Sequence, residues 1–255
     1  MTGIVKRFGG VTALDGADFS ILRGEVMALV GDNGAGKSTL IKAIAGAHEP
    51  DAGSIRMNGA EVRFRTPQEA WARGIATIYQ ELALAGKMNV SDNIFLGREL
   101  TRTFAGVPFL DRRTMRLRTE ELLQQLEVRI QDLDVWVEQL SGGQRQGVAI
   151  ARALNLDADL IIMDEPTAAL AVGEAHKVLD FIRRLRAQGK SVILISHNIL
   201  DVFQVADRIT VLHHGRTEGV RRTAETTPEE IIALITGAAQ YRWAAGHRDR
   251  ERAAT

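Results

Sequence analysis

The sequence predicts an α/β protein in which a mostly parallel sheet has helices on both faces. The first observation is a set of short apolar runs, such as Val26–Val30, that have the length of buried strands. The second is that these runs alternate with amphipathic helical patterns, such as residues 174–188. Buried parallel strands appear as continuous hydrophobic runs, and strands that alternate with helices form parallel sheets. The third is a length of 255 residues with 45% hydrophobic content, which is enough to bury a large core.

The composition excludes several classes of protein. The 32 basic and 32 acidic residues balance, so no long-range field favours nucleic acid or an anionic surface, and we expect no nucleic-acid partner. The absence of cysteine excludes disulfides, thiolate metal sites and cysteine nucleophiles. The longest apolar runs have only the length of a core strand, far below the ~20 residues that span a bilayer. The first ten residues lack the apolar region of a signal peptide. We therefore expect that no segment crosses a membrane and that the chain stays where it is made.

The first part of the chain is predicted to contain parallel and antiparallel strands. Val26–Val30 runs directly into a glycine-rich loop, which opens a helix at residues 37–45. In residues 53–64, the pair Asn58-Gly59 separates two alternating runs, which is a strong hairpin signal. An antiparallel β patch should therefore adjoin the parallel core.

Two helices have nearly the same start signal. Thr66 can cap a helix that has Pro67 in its first turn, and Glu69 can reach back to the cap. A threonine, a proline and a glutamate recur in the same order at residues 227–230. Both segments are therefore predicted to be short capped helices.

A helical lobe is predicted to be inserted into the core. Between residues 88 and 156 the strand signals disappear and helical patterns replace them, including residues 111–127 with Leu117 among the apolar positions. Core strands return after this segment. We predict one domain, 1–255, in which the α/β core with its antiparallel patch spans 1–87 and 157–220, the helical lobe spans 88–156, and a C-terminal helix with a polar tail spans 221–255.

The segment GDNGAGKST, residues 31–39, fits the phosphate-loop pattern G-x-x-x-x-G-K-[ST] between a strand and a helix. Glycines let successive backbone N–H groups turn inward around a phosphate at a helix N-terminus. Lys37 would supply positive charge to the β and γ phosphates, and the Ser38 hydroxyl is a hard oxygen ligand for Mg²⁺. The alternative is an ordinary glycine turn, which the complete motif in this context disfavours. The segment predicts a P-loop nucleoside-triphosphatase core.

Polar residues follow three further predicted core strands. Asp164 and Glu165 come after an apolar strand, where the first can hold the water shell of Mg²⁺ and the second can polarise an attacking water. Gln80 and His197 stand at the ends of two more strands, at the edge where open α/β sheets bind ligands. In isolation, solvated acids or a structural glutamine and histidine would be the ordinary interpretation. Beside a phosphate loop, these residues predict ATP turnover.

A second glycine-opened helix start lies at LSGGQ, residues 140–144, which we call the signature segment. Ser141 is a good N-cap, and Gly142 and Gly143 expose the backbone of the first turn. One nucleotide cannot easily be enclosed by both loops of one chain. A head-to-tail pair, in which each chain closes the ATP of the other, would use both loops. The alternative is a simple turn between the lobe and the core.

These motifs resemble those of the ATP-binding subunit of an ABC transporter, over about residues 5–220. The resemblance implies ATP and Mg²⁺ as cofactors and ATP hydrolysis as the reaction. It assigns adenine stacking to Phe8, although an isolated phenylalanine is more often part of a core. The implied catalytic residues are the base Glu165, the switch histidine His197 and the lid glutamine Gln80, and the implied metal ligands are Ser38, Gln80 and Asp164. The implied nucleotide-binding residues also include Gly31, Asp32, Asn33, Gly34, Ala35, Gly36, Lys37, Ser38, Thr39, Ser141, Gly142, Gly143 and Gln144.

Finer stretches, GIATIYQELAL, NIFLGRE and DEPTAALAV, are similar to the carbohydrate-uptake subfamily that imports ribose, xylose and fructose. Its members often hold two cassettes in tandem, and this chain holds one, which implies a homodimer that forms on ATP binding. The resemblance also implies integral-membrane permease subunits and, indirectly, a periplasmic or extracellular sugar-binding protein. It places the chain peripherally on the cytoplasmic side of the inner membrane.

Two features of this resemblance lead to separate expectations. The family normally has an aspartate where this chain has Ala171, so communication between the two ATP sites should be weakened. The groove at residues 81–97 is the expected docking surface for the permease, through Leu82, Leu84 and Ile94. Burial of these three residues between the lobe and the core is an equal alternative.

Other functions stay open at this stage. A soluble ABC ATPase of translation or DNA repair is disfavoured by the zero net charge and by the absence of a heptad insert. A regulatory nucleotide-binding module without turnover is supported only by Ala171. An ABC ATPase for a substrate other than sugar is a further alternative.

Overall fold

The computed structural model describes residues 1–104, 106–168 and 170–238, and the predicted polar tail at residues 241–255 lies outside these ranges. The strands are β1 (Thr2–Phe8), β2 (Val11–Ala17), β3 (Val26–Val30), β4 (Ala52–Met57), β5 (Ala60–Val62), β6 (Ile75–Ile78), β7 (Thr101–Phe104), β8 (Val107–Leu110), β9 (Leu160–Asp164), β10 (Ser191–Ile195), β11 (Arg208–His213) and β12 (Arg216–Arg222). The helices are α1 (Lys37–Ile44), α2 (Pro67–Ala72), α3 (Val90–Phe95), α4 (Arg112–Gln125), α5 (Gly142–Leu154), α6 (Val172–Ala187), α7 (Ile199–Val205) and α8 (Pro228–Ile235). Within the described ranges, no helix combines the length and the apolar character that crossing a bilayer requires.

The main sheet has six strands in the order β12-β11-β3-β10-β9-β6. Every neighbouring pair from β11 to β6 is parallel, and only β12 runs antiparallel, as an edge strand that the sequence analysis did not anticipate. In the register of this sheet, Ile195 of β10 stands opposite Leu29 of β3 and Asp164 of β9. The carboxyl ends of these strands therefore meet at one edge, and the predicted parallel core is confirmed.

The central strands are buried on both faces. In β3, Val26 and Ala28 pack into a cluster with the helical lobe, whereas Met27 and Leu29 pack into a second cluster with α1 and the antiparallel patch. All five residues of β3 and all five of β10 are buried. Their continuous hydrophobic runs result from this two-sided burial, and each fully buried large side chain contributes about 1.5–3 kcal/mol to the free energy of folding.

The antiparallel patch is a four-stranded sheet in the order β2-β1-β4-β5. At the predicted hairpin, Asn58 has φ 51° and Gly59 has φ 82°, and β4 pairs with β5 on either side. Two successive positive φ values are the requirement of a type I′ turn, which asparagine and glycine meet at the lowest steric cost. The predicted hairpin is therefore confirmed.

The predicted helix starts at α2 and α8 are present, with one difference in detail. The Glu69 N–H donates to Thr66 Oγ1 at 3.4 Å, and the Glu230 N–H donates to Thr227 Oγ1 at 3.3 Å. The Glu69 carboxylate, however, accepts from the N–H of Arg65 at 2.9 Å rather than from the cap residue itself. Each threonine thus satisfies one of the N–H groups that a helix start leaves unpaired.

The predicted helical lobe contains α3, α4 and α5, but the expectation that it lacks strands is wrong. β7 and β8 form a separate antiparallel hairpin between α3 and α4. All of its strand residues are exposed, so no buried face imposes the alternating pattern by which a strand is recognised in a sequence.

The expectation that Leu117 packs as an apolar residue of the lobe is also wrong, and the three candidate docking residues differ in their burial. Leu117 is exposed, because the buried side of α4 has Met115, Thr119 and Leu122, and Leu117 lies on the opposite side of the helix. Ile94 is buried in the main core cluster, and Leu82 and Leu84 pack partly buried against that cluster. Burial therefore accounts for Ile94, whereas Leu82 and Leu84 keep part of their surface exposed, and their docking role stays a prediction.

Helix α6 begins without a side-chain cap. Its N-cap residue, Ala171, has the extended backbone of a cap (φ −64°, ψ 152°) but no side-chain oxygen to accept from the first turn. A serine, threonine, aspartate or asparagine at such a position usually supplies that bond. The start of α6 therefore lacks the stabilisation that a side-chain cap at this position would give.

Replacing Ala171 with aspartate is expected to raise the free energy of unfolding by about 1 kcal/mol, because the carboxylate can accept from an unpaired N–H of the first turn. Urea denaturation of the nucleotide-free protein measures the change. The matched control is Ala187→Asp, which puts the same charge in the last turn of α6, where the helix dipole opposes it, so no stabilisation is expected. A destabilised Ala171→Asp protein would contradict this interpretation of the helix start.

Candidate active site

The phosphate loop connects β3 to α1 and depends on glycine at two close approaches. Gly31 has φ 154° and Gly36 has φ 101°, both outside the range that other residues readily adopt. A methyl group on Gly36 would lie 2.6 Å from the carbonyl oxygen of Ala13, and one on Gly31 would collide with the carbonyl oxygen of Leu212. Because Gly36 is the N-cap of α1 and has no side chain, the first N–H groups of this helix are left for an anion.

Lys37 lies across this loop. Its Nζ donates to the carbonyl oxygens of Gly31 at 2.7 Å and Asp32 at 3.0 Å. Burial lowers the pKa of Lys37 from its ordinary value, while Glu165, Asp164 and Asp32 act in the opposite direction. An ammonium group has three donors, so one N–H remains for a phosphate oxygen.

The two acids predicted to follow a core strand lie at the same edge of the sheet. Asp164 is the last residue of β9, and its pKa is raised, first by burial and second by the charge of Glu165. Lys37 and Lys42 lower this pKa but do not compensate fully. The ionised form of Asp164 is therefore unfavourable in this environment.

The residues present fit a magnesium ion. Within the described ranges, no group of three or more acidic or histidine side chains could hold a metal by itself. Mg²⁺ commonly binds proteins through one or two carboxylates and takes its other oxygens from water and phosphate. Asp164, whose ionised form burial and Glu165 disfavour, and the hydroxyl of the exposed residue Ser38 are oxygen donors of this kind.

Glu165 is held in a particular orientation by the loop after β10. Its backbone has φ 51°, and its N–H donates to the carbonyl oxygen of Ile195 at 3.0 Å. Its Oε2 lies 2.7 Å from Nδ1 of His197, and it accepts from the His197 N–H at 3.4 Å. The His197 side chain is 73% exposed. The structure therefore brings the predicted base and switch histidine together at the solvent edge of the site.

Gln80 and Phe8 are placed at the margins of the site. Gln80 is exposed and lies two residues beyond the end of β6, the strand next to β9. Phe8 ends β1 and is 45% exposed, with its ring edge-on to His48 at 5.3 Å between centroids. Phe8 is therefore not a core residue, and its role in adenine stacking stays a prediction.

The signature segment starts α5 with a complete capping box. The Gln144 N–H donates to Ser141 Oγ at 3.2 Å, and the Ser141 N–H donates to Gln144 Oε1 at 3.0 Å. The Gln144 Nε2 also donates to the carbonyl oxygen of Arg129 at 2.9 Å. A Ser-x-x-Gln spacing is the sequence signal of such a box. The predicted N-cap is confirmed, and the structural role of Gln144 is an addition to that prediction.

The surroundings of the signature segment separate it from the phosphate loop of its own chain. A cleft of about 920 Å³ opens beside Ser141 and Gly143, between α4, α5 and α6, and none of its lining residues within the described ranges belongs to the phosphate loop. A side chain at Gly143 would collide with the carboxylate of Glu174 from α6. The sequence analysis did not identify Glu174, because nothing in the local spacing relates it to the signature segment.

A phosphate loop on a parallel α/β sheet, with two carboxylates and a histidine at the carboxyl ends of neighbouring strands, defines a P-loop nucleoside triphosphatase. Its fold is similar to a dimeric ATP-binding cassette in a post-hydrolysis state bound to ADP and Pi, at TM-score 0.75 and 26% identity, covering 87% of this chain and 97% of that one. An ATP-binding cassette of an ABC transporter is similar at TM-score 0.79 and 28% identity, covering 91% and 96%. The chain belongs to the ABC transporter family, whose model, described as ABC transporter, matches residues 14–168.

Relatives in sequence include three named sugar-import proteins. The chain is 49% identical to the xylose/arabinose import ATP-binding protein of Sulfolobus acidocaldarius, covering 91% of this chain and 90% of that one. It is 49% identical to the fructose import ATP-binding protein of Rhizobium meliloti, covering 92% of each. A ribose import ATP-binding protein of Rubrobacter xylanophilus is 46% identical over 93% of this chain but only 46% of that protein's length. The predicted family and fold are confirmed.

Asp164→Asn is expected to raise the free energy of unfolding of the nucleotide-free protein at pH 7 and to abolish magnesium-dependent ATP hydrolysis. A carboxyl whose pKa is raised in the folded state makes the ionised form unfavourable there, so removing the charge stabilises the protein above that pKa. The gain should disappear as the pH falls below the ordinary aspartate pKa, about 4. Urea denaturation at pH 7 and at acidic pH measures both parts.

Asp180→Asn, on the exposed side of α6, serves as the control and should change stability little at either pH. If Asp164→Asn were less stable than the parent protein at pH 7, the conclusion that the Asp164 charge is unfavourable in the folded protein would be refuted.

Proposed function

We propose that this protein is the ATP-hydrolysing subunit of an ABC importer and that it supplies energy for the uptake of a monosaccharide such as ribose, xylose or fructose. The observation that carries the proposal is the pairing of Glu165 with His197 beside Lys37 and Asp164 at one sheet edge. A positioned base typically contributes 10²–10⁴-fold to such a reaction. The sugar substrate is supported by the import proteins that share 41–49% identity with the chain.

The nucleotide would be held mainly by backbone groups and Lys37. The phosphate loop offers N–H groups at the start of α1 and one free donor of Lys37 to the phosphates. Mg²⁺ would be held by Ser38, Asp164 and the lid glutamine, Gln80. When bound, it would neutralise negative charge on the phosphates. Glu165 would then orient and deprotonate the attacking water, and His197 would hold Glu165 in place from the next strand.

The working form would be a head-to-tail homodimer. The signature segment presents a capped helix start toward solvent in the lobe, whereas the phosphate loop lies in the core, so each can serve the other chain. A similar cassette bound to ADP and Pi is dimeric, which supports this arrangement. With Ala171 in place of the usual aspartate, coupling between the two sites would be weak.

The homodimer would act on integral-membrane permease subunits at the cytoplasmic side of the inner membrane. A periplasmic or extracellular sugar-binding protein would deliver the substrate to that permease. In the expected docking groove at residues 81–97, Ile94 belongs to the core, and Leu82 and Leu84 are half-buried. The exposed positions include Glu81, Lys87 and Leu96. The permease would therefore contact the exposed rim of this groove rather than Ile94.

Glu165→Gln is expected to reduce ATP turnover by about 10²–10⁴-fold while preserving nucleotide binding. With ATP and magnesium it should accumulate as a stable dimer, because closure is not followed by hydrolysis, and the ADP form should be monomeric. Light scattering after size exclusion measures the mass. A monomer at saturating ATP would contradict the dimer model. Unchanged ATP turnover would indicate that the protein does not use Glu165 as a base.

Two mutations should separate the two halves of the shared site. Lys37→Ala removes a charge-assisted contact worth on the order of 1.5–3 kcal/mol and should weaken binding of the first nucleotide. Ser141→Arg should leave that binding nearly intact but abolish closure and hydrolysis, because the phosphate loop is unchanged. Fluorescent nucleotide binding and steady-state ATPase assays measure the two steps.

Mixing the two inactive proteins provides a further test of the same prediction. In the mixed dimer both mutations fall in one composite site, and the other site is entirely wild type. Activity recovered on mixing would support sites shared between two chains. If Ser141→Arg alone hydrolysed ATP at the wild-type rate, the signature segment would be only a helix cap.

A further inference from the structure

The loop between β9 and α6 holds the proposed base in a strained backbone. Glu165 has φ 51°, a left-handed conformation that is unusual for a residue other than glycine. The loop turns twice, since the Ala168 N–H donates to the carbonyl oxygen of Glu165 at 3.1 Å and the Leu170 N–H donates to that of Thr167 at 3.3 Å. Such backbone persists only where surrounding contacts determine it.

Two side-chain contacts connect this loop to the segment that follows β10. The first is the 2.7 Å pairing of Glu165 with His197. The second is a hydrogen bond in which Thr167 Oγ1 donates to Asp201 Oδ2 at 2.8 Å. His197 and Asp201 lie on either side of the start of α7, so one short segment contacts the loop at two points, two residues apart.

Asp201 is an unusual residue for its environment. It is only 9% exposed, and it lines a cavity of about 290 Å³ together with Thr167 and His197. A carboxylate buried to this extent requires a hydrogen-bond donor, and the hydroxyl of Thr167 supplies one. At the far end of the loop, Ala171 contributes no side-chain bond. The Thr167–Asp201 hydrogen bond therefore restrains the loop two residues after Glu165, at the end opposite to Ala171.

We propose that Asp201 is a positioning residue for ATP hydrolysis, which acts through Thr167 to hold the Glu165 carboxylate in its catalytic orientation. The inference rests on the proposed function. Asp201 would touch neither nucleotide nor metal. Its effect is to fix the residue two positions after the base, and displacing a reacting group by about 1 Å can cost roughly 10²-fold in rate.

The experiment measures kcat and KM for ATP separately in the full chain. Thr167→Val keeps the shape but removes the donor, and it is expected to lower kcat roughly 10- to 100-fold while KM changes by less than about twofold. Thr167→Ser keeps the hydroxyl and should restore most of kcat. Thr236→Val is the matched control, since it removes a threonine hydroxyl that donates to the carbonyl oxygen of Ile232 in α8, and it should leave kcat unchanged.

Asp201→Leu, which removes both acceptor oxygens, and the double variant with Thr167→Val complete a thermodynamic cycle. If the two residues act through one bond, the double variant should lose no more than the worse single variant. Circular dichroism and thermal unfolding verify that each variant is folded. A folded Thr167→Val protein with wild-type kcat, or losses that multiply in the double variant, would overturn the inference and leave the proposed function intact. An inactive wild-type protein would overturn the proposed function and this inference with it.

Discussion

Burial of the central parallel strands on both faces is the constraint on which the rest of the molecule depends. Because β3 and β10 have no solvent-facing side, the chain can place polar groups only where these strands end. The parallel strands end at the same edge, so Glu165 after β9 and His197 after β10 become neighbours there. The site is therefore produced by strand order, and the loops that complete it can vary without altering the core.

The charges at this edge are arranged for a ligand rather than for the empty protein. Burial disfavours the ionised form of Asp164 and the protonated form of Lys37, and the two are only partly compensated by each other. A triphosphate with its cation would bring both of the missing opposite charges. The charges of Asp164 and Lys37 thus lower the stability of the protein without ligand, and ligand binding would compensate for this loss. Such a compromise between stability and function is common at functional sites.

Local patterns predicted the parts of the site in which interacting residues are close in sequence. The phosphate loop and the Ser141 N-cap involve neighbours within a few positions, so residue type and spacing were sufficient. The Thr167–Asp201 hydrogen bond joins residues 34 positions apart, and no local sequence pattern predicts it. The β7–β8 hairpin was missed for another reason, since an element that buries no face leaves no periodicity to detect.

The capping box at Ser141 would affect how fast two chains engage in the proposed homodimer. Its hydroxyl accepts the Gln144 N–H while keeping its own proton to donate outward, and Gln144 is fixed in turn by the carbonyl oxygen of Arg129. The first turn of α5 is thus ordered before it meets any ligand, and little conformational entropy remains to be lost on contact. Association would then be limited by the rigid-body approach of two preformed surfaces, not by the folding of a loop.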